Sequence, residues 1–213
     1  MKISNPKDSF PDEARHGRLP RVCVVNASLP PAYGGAEIAG YRYAERYHRA
    51  GGEVVLIGPE NGATSRESLP PWVVPVPAVK RGGDWGPVGD LPGGKSVRSA
   101  THLWPTIWSL RHRFDVLHIF NSAPLFVLGA VPPTRLLRKP AVLEMSLRGS
   151  DDPLRLRQWG RSNRLPLVRW PPLRYLFFRM ATRFVAKSEA LSTAFLEAGL
   201  AEARLVRIPY GLS

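Results

Sequence analysis

Cysteine is nearly absent. Cys23 is the only one among 213 residues, so no internal disulfide can form. It sits in the apolar run RVCVVN at 21–26, where a small buried hydrophobe is expected rather than a reactive thiol. Acidic residues are scarce too: 17 Asp and Glu face 30 Lys and Arg, a net charge of +13. Such a surface attracts phosphates, anionic headgroups or nucleic acid, and charge alone does not choose among them. Long apolar runs are also missing. The first twenty residues are polar and hold no apolar core of the kind a secretory signal needs, so a reducing, cytoplasmic location is the expectation. Residues 116–134 carry no formal charge but include His118, Asn121 and three prolines. A buried strand followed by a helix fits them better than a membrane span.

What is present reads as one folded domain. The hydrophobic content is 44%, ordinary for a globular core. The runs RVCVVN (21–26), EVVLIG (53–58), DVLHIF (115–120), AVLEM (141–145), RFVAK (183–187) and RLVRIP (204–209) are short, bounded and rich in Val and Ile, as buried strands are. Residues 36–50 suit a helix with Ala36, Ala39, Gly40, Tyr43, Tyr47 and Ala50 on one face and Arg42, Glu45, Arg46 and Arg49 on the other. Gly51 and Gly52 end it. A second helix starts at Ser188 as N-cap, carries Leu191, Ala194, Phe195 and Ala198 on one face, and stops at Gly199. Strands alternating with helices predict an α/β fold, a Rossmann-like three-layer arrangement around a mainly parallel sheet. Residues 80–95 hold six glycines and two prolines, which predicts a mobile loop. No repeats or low-complexity tracts occur.

The stretch NASLPPAYGGAEIAG (26–40) lies between the first strand and the first helix. In parallel sheets ligands gather beyond the C-terminal strand ends, where the following helix points its positive end. Glycines there let backbone N–H groups approach an anion, because a Cβ would block it. A turn that merely needs positive φ is the other reading of such a pair. The three spaced glycines of a dinucleotide loop and the Walker lysine are both missing, which disfavours a nicotinamide-dependent Rossmann enzyme.

Three stretches, LPPAYGGAEIAGYRYAERYHRAGGEVVLIGP, FDVLHIFNSAPLFVLGA with KPAVLEMSLRGSDDP, and ATRFVAKSEALSTAFLEAGLAEARLVRIPYGLS, resemble in order and spacing the N-terminal half of family 4 glycosyltransferases. The resemblance spans about residues 21–213, after a flexible tail at 1–20. It implies the GT-B architecture, two Rossmann-type domains facing a cleft, of which this chain would be the acceptor-side domain. RIPYGLS resembles the segment leading into the interdomain linker, with Tyr210 where relatives have Asn. The donor-binding C-terminal domain would be absent, and the chain alone inactive.

By that resemblance, Gly34 and Gly35 approach the donor diphosphate and Glu37 matches the acid that follows them. His118 is the candidate catalytic residue, although Phe120 stands where many relatives have a second histidine; an isolated histidine in an apolar strand also serves as a hydrogen-bonded core residue. Asn121, Arg148, Asp151 and Ser188 are the further candidate acceptor or sugar contacts; Asp151 and Asp152 also suit an ordinary turn, and Ser188 a cap. The activity implied is retaining transfer of a hexose from a nucleotide-sugar to a glycan or lipid-linked acceptor, with the nucleotide-sugar as substrate and no cofactor or metal. From Leu154 to Lys187 there are nine Arg or Lys and no acid, interleaved with Trp159, Trp170, Tyr175, Phe177 and Phe178. Such a stretch suits peripheral docking on an anionic membrane, the inner face of the plasma membrane being expected, with Arg169, Trp170, Arg174 and Arg179 facing lipid. The alternative is a non-catalytic module that uses this basic face for membrane or nucleic acid; for the transferase, nucleic acid is not an expected partner.

Overall fold

The computed structural model describes residues 19–30, 35–60, 65–76, 93–120, 124–145 and 179–209. Seven strands form one sheet: β1 (Val22–Val25), β2 (Val54–Pro59), β3 (Val73–Val76), β4 (Val116–Ile119), β5 (Ala141–Met145), β6 (Arg183–Ala186) and β7 (Leu205–Arg207). Their order across the sheet is β3-β2-β1-β4-β5-β6-β7, and every pairing is parallel. The expected Rossmann-like sheet is therefore present. Its strand order reverses between β1 and β4, the position at which an open parallel sheet leaves a crevice beyond its C-terminal edge.

Burial on both sides explains the near-continuous apolar runs. Cys23, Val25, Val55, Ile57, Leu117, Ile119, Leu143, Met145 and Phe184 point to one face, where they pack with Leu103, Ile107, Val131, Leu191 and Phe195. Those partners come from α2 (Gly93–Ser109), α3 (Pro124–Leu136) and α4 (Glu189–Glu197). Val22, Val24, Val54 and Leu56 point the other way and pack with Ala44, Tyr43 and Phe120 under α1 (Gly35–Arg49). Cys23 is fully buried, and burial pushes its thiol up to about 12, which fits the inert role expected of it.

Both helix ends read from glycine close as expected. Gly51 has φ 85° and donates to His48 O, while Gly52 donates to Tyr47 O. Gly199 has φ 79° and donates to Leu196 O, while Leu200 donates to Phe195 O. In each case a left-handed glycine lets two N–H groups turn back onto the last carbonyls.

The structure departs from the sequence reading in three places. PPWVVPVP contributes β3, a strand not expected from a run with so many prolines; Pro75 is tolerated because, among the described residues, β3 lies at the sheet edge and pairs with β2 alone. Gly93, Gly94 and Lys95 belong to α2 rather than to the expected loop, because a glycine penalty of about 1 kcal/mol each is small against a helix that buries Leu103 and Ile107. Residues 80–92 of that loop lie outside the described residues. On α1 the buried positions are Glu37, Gly40 and Ala44, while Ala50 lies past the helix end and is exposed.

Candidate functional site

The crevice is built on Asn26, which follows β1 and is fully buried. Its Nδ2 donates to Glu37 O at 2.8 Å and its Oδ1 accepts from Ala27 N at 3.1 Å. One side chain thus fixes the loop after β1 and the first turn of α1. Gly40 makes the fit possible: a Cβ there would stand 3.1 Å from Asn26 Oδ1 and 3.2 Å from Phe120 Cβ, tighter than ordinary contact. Gly35, the first residue of α1, is different. It lacks a left-handed φ, and, its chain neighbours and its own helix backbone aside, a Cβ there would meet no heavy atom of the described residues within 4 Å. Its own φ does not require a glycine, and among the described residues it leaves space at the positive end of the helix.

Glu37 lies in the first turn of α1 and is 3% exposed, yet its Oε1 has no hydrogen-bond partner among the described residues. A buried carboxylate oxygen without a donor is costly. Hydroxyl or N–H donors of a ligand would satisfy it.

His118 projects from β4 on the face that α1 covers. Its ring meets Tyr43 edge-on at 5.3 Å and Phe120 at 4.7 Å, so Phe120 serves as packing. His118 Nε2 lies 3.2 Å from Glu144 Oε2, close enough for an ion pair when the ring is protonated but not aligned as a hydrogen bond. The other carboxylate oxygen, Oε1, stands 3.2 Å from Lys187 Nζ. Register explains the row: His118 pairs with Val142 and Glu144 with Val185, so each charged group stands two residues ahead of the last across β4, β5 and the end of β6. The three side chains are nearly buried, at 12%, 4% and 13% exposure. The sequence reading missed Glu144 and Lys187. The signal was available, an acid inside AVLEM and a lysine closing RFVAK, each interrupting an apolar strand.

Ser188 caps α4, its Oγ accepting from Leu191 N at 3.3 Å. Arg179 is exposed at the opposite sheet edge, before β6, where its carbonyl accepts from Arg204 Nη2 at 2.7 Å. The structure brings Asn26, Glu37, Gly40, Tyr43, His118, Phe120, Glu144 and Lys187 into one contiguous set. Gly34, Asn121, Arg148, Asp151, Asp152, Arg169, Trp170 and Arg174 lie outside the described residues. A cavity of about 480 Å³ lined by Arg21, His48, Trp72 and Arg113 sits at the N-terminal strand edge, away from this set. Among the described residues no group of three His, Cys, Asp or Glu side chains could hold a metal ion.

Comparison with known proteins gives this arrangement a family. The Glycosyl transferase 4-like domain matches residues 34–211. No curated protein is similar enough in sequence to be matched. Among solved structures, HepE of Anabaena in complex with UDP-glucose is similar over 91% of this chain and 44% of its own, with TM-score 0.55 and 16% identity. WaaG, a glycosyltransferase involved in lipopolysaccharide biosynthesis, is similar over 90% of this chain and 45% of its own, with TM-score 0.54 and 12% identity. The UDP-GlcNAc 2-epimerase of Methanocaldococcus jannaschii gives 88% and 45%, TM-score 0.53 and 12% identity. The chain spans about half the length of each of these, and an epimerase sharing the fold means that the fold alone does not name a reaction. With the family match covering most of the sequence and the sheet that of the GT-B proteins, the chain belongs to the glycosyl transferase 4-like family.

Proposed function

We propose that this chain is the acceptor-side half of a retaining glycosyltransferase that uses a uridine diphosphate sugar and acts on a glycan or lipid-linked acceptor in the cytoplasm. The observation that carries the proposal is that no described residue crowds Gly35, at the N-terminus of α1 beside the reversal of strand order. Structural neighbours in complex with UDP and UDP-glucose support the choice of donor.

In this reading the N–H groups at Gly34 and Gly35 face the donor diphosphate and stabilise charge as it leaves, a task suited to preorganised backbone dipoles. The bond from the sugar anomeric carbon to the diphosphate oxygen breaks, the acceptor hydroxyl oxygen forms the new bond, and a donor phosphate oxygen takes the hydroxyl proton. Glu37 accepts from ligand hydroxyls through Oε1, and the caged His118 ring orients the transferred sugar. Asn121, Arg148 and Asp151 would complete the acceptor side; Ser188 would join it only beyond its capping role. A second, donor-binding half supplies the rest of the cleft, so the chain alone binds weakly and does not turn over.

The test is titration of UDP into the chain, followed by backbone amide shifts. The largest changes are expected at Gly35, Glu37 and the residues around His118. Shifts confined to another surface, or nicotinamide dinucleotide displacing UDP, would overturn the reading.

A further inference from the structure

Trp104 and Trp108 stand one turn apart on α2, 39% and 45% exposed, and Leu136 at the end of α3 is 64% exposed. Together with Pro105, Ser109 and Arg111 they line an apolar concavity of about 640 Å³. Single exposed apolar residues need no explanation, but two tryptophans and a leucine sharing one hollow mark an interaction surface.

The surrounding charge indicates the kind of partner. From Thr101 to Pro140 there are five Arg or Lys and one acid. That acid, Asp115, is held by both Nε and Nη2 of Arg21. Arg135 and Arg138 are exposed on either side of Leu136 and Leu137. The basic field continues: burial first, then the like charges of Arg179, Arg135 and Arg183, push the Arg204 guanidinium pKa down. A second copy of the chain is a poor occupant, because a two-fold contact would set this basic patch against itself. A nucleic acid backbone would answer the arginines but not the exposed apolar rings. An anionic bilayer answers both, since indole rings sit at headgroup depth while arginines meet lipid phosphates.

We propose that the outer face of α2 and the C-terminal end of α3 dock this chain on an anionic bilayer, with Trp104, Trp108 and Leu136 entering the headgroup region and Arg111, Arg135 and Arg138 meeting phosphates. The proposal does not rest on sugar transfer. Crossover helices run against their strands, so α2 and α3 end at the sheet edge opposite Gly35. Docking there leaves the crevice open.

The experiment is co-sedimentation of the chain with vesicles of phosphatidylcholine alone and of phosphatidylcholine with phosphatidylglycerol, with tryptophan emission recorded. Binding to the anionic vesicles alone is expected, weakening with added salt. The Trp104→Ala/Trp108→Ala variant should bind far less and lose the blue shift; its exposed positions spare the fold, which circular dichroism checks. Arg135→Gln/Arg138→Gln should lower the partition coefficient about five-fold per arginine. Arg169→Glu/Arg174→Glu should keep its binding. The proposal is overturned by equal binding to both vesicle types, by unchanged binding of the tryptophan variant, by loss in the Arg169/Arg174 variant alone, or by a dimer that the tryptophan substitutions dissolve.

Discussion

Replacing Glu144 by glutamine asks what a nearly buried carboxylate is doing in the middle of a sheet. Its Oε1 lies 3.2 Å from Lys187 Nζ, with side-chain exposures of 4% and 13%. At that distance and an effective dielectric of about 20, the attraction is about 5 kcal/mol. Withdrawing both ions from water costs several kcal/mol each, so the intact pair comes close to breaking even. Removing one partner does not. Glu144→Gln keeps the shape and deletes the charge, so a nearly buried Lys187 loses its carboxylate; the expected loss is about 3–5 kcal/mol. Lys187→Met should destabilise by a comparable amount, whereas Glu144→Gln/Lys187→Met should lose at least about 2 kcal/mol less than the sum of the single losses, because neither charge remains. Urea unfolding followed by circular dichroism gives each value from the midpoint, provided that the slope is unchanged. A loss below about 1 kcal/mol for Glu144→Gln, or strict additivity in the double variant, would refute the argument.

Gly35→Ala should change stability by no more than about 0.5 kcal/mol, since no described residue crowds its Cβ, yet it should weaken the UDP-induced amide shifts; an unaltered titration would count against the glycine loop. Ser188→Ala should cost about 1 kcal/mol through loss of the α4 cap, read as a lower urea midpoint. Asp115 is held well below the usual carboxylate range by hydrogen bonds from Arg21. A depressed folded value stabilises above the unfolded Asp range and is lost as pH falls through the folded value, so the stability deficit of Asp115→Asn should be present at neutral pH and shrink only in strong acid, as followed by Tm against pH. Cys23, with its thiol pushed up to about 12 by burial, should resist thiol reagents until the protein unfolds.

Much of the fold was readable because parallel strands buried on both faces announce themselves as apolar runs, and left-handed glycines mark helix ends. Six of the seven strands and both glycine stops come from those signals. β3 did not, since its prolines obey the edge of a sheet whose order was unknown. The site was less legible. His118 could be found through family likeness, but Glu144 and Lys187 become neighbours only through the register of β4, β5 and β6, and register is a property of the assembled sheet. The burial of Glu37 likewise depends on how tightly Gly40 lets α1 approach Asn26 and Phe120.

The central strand also sets the order of events during synthesis. β1 is bordered by β2 and β4, and the ion pair that ties its start to β4 joins Arg21 to Asp115, 94 positions later. A nascent chain can zip β1 to β2 early, but the other flank of this Val-rich strand stays unpaired until translation has passed β4. Long-range closure of this kind slows folding and exposes an aggregation-prone edge in the meantime. The chain should therefore refold slowly and with poor yield from denaturant, and benefit from holdase chaperones while it emerges from the ribosome.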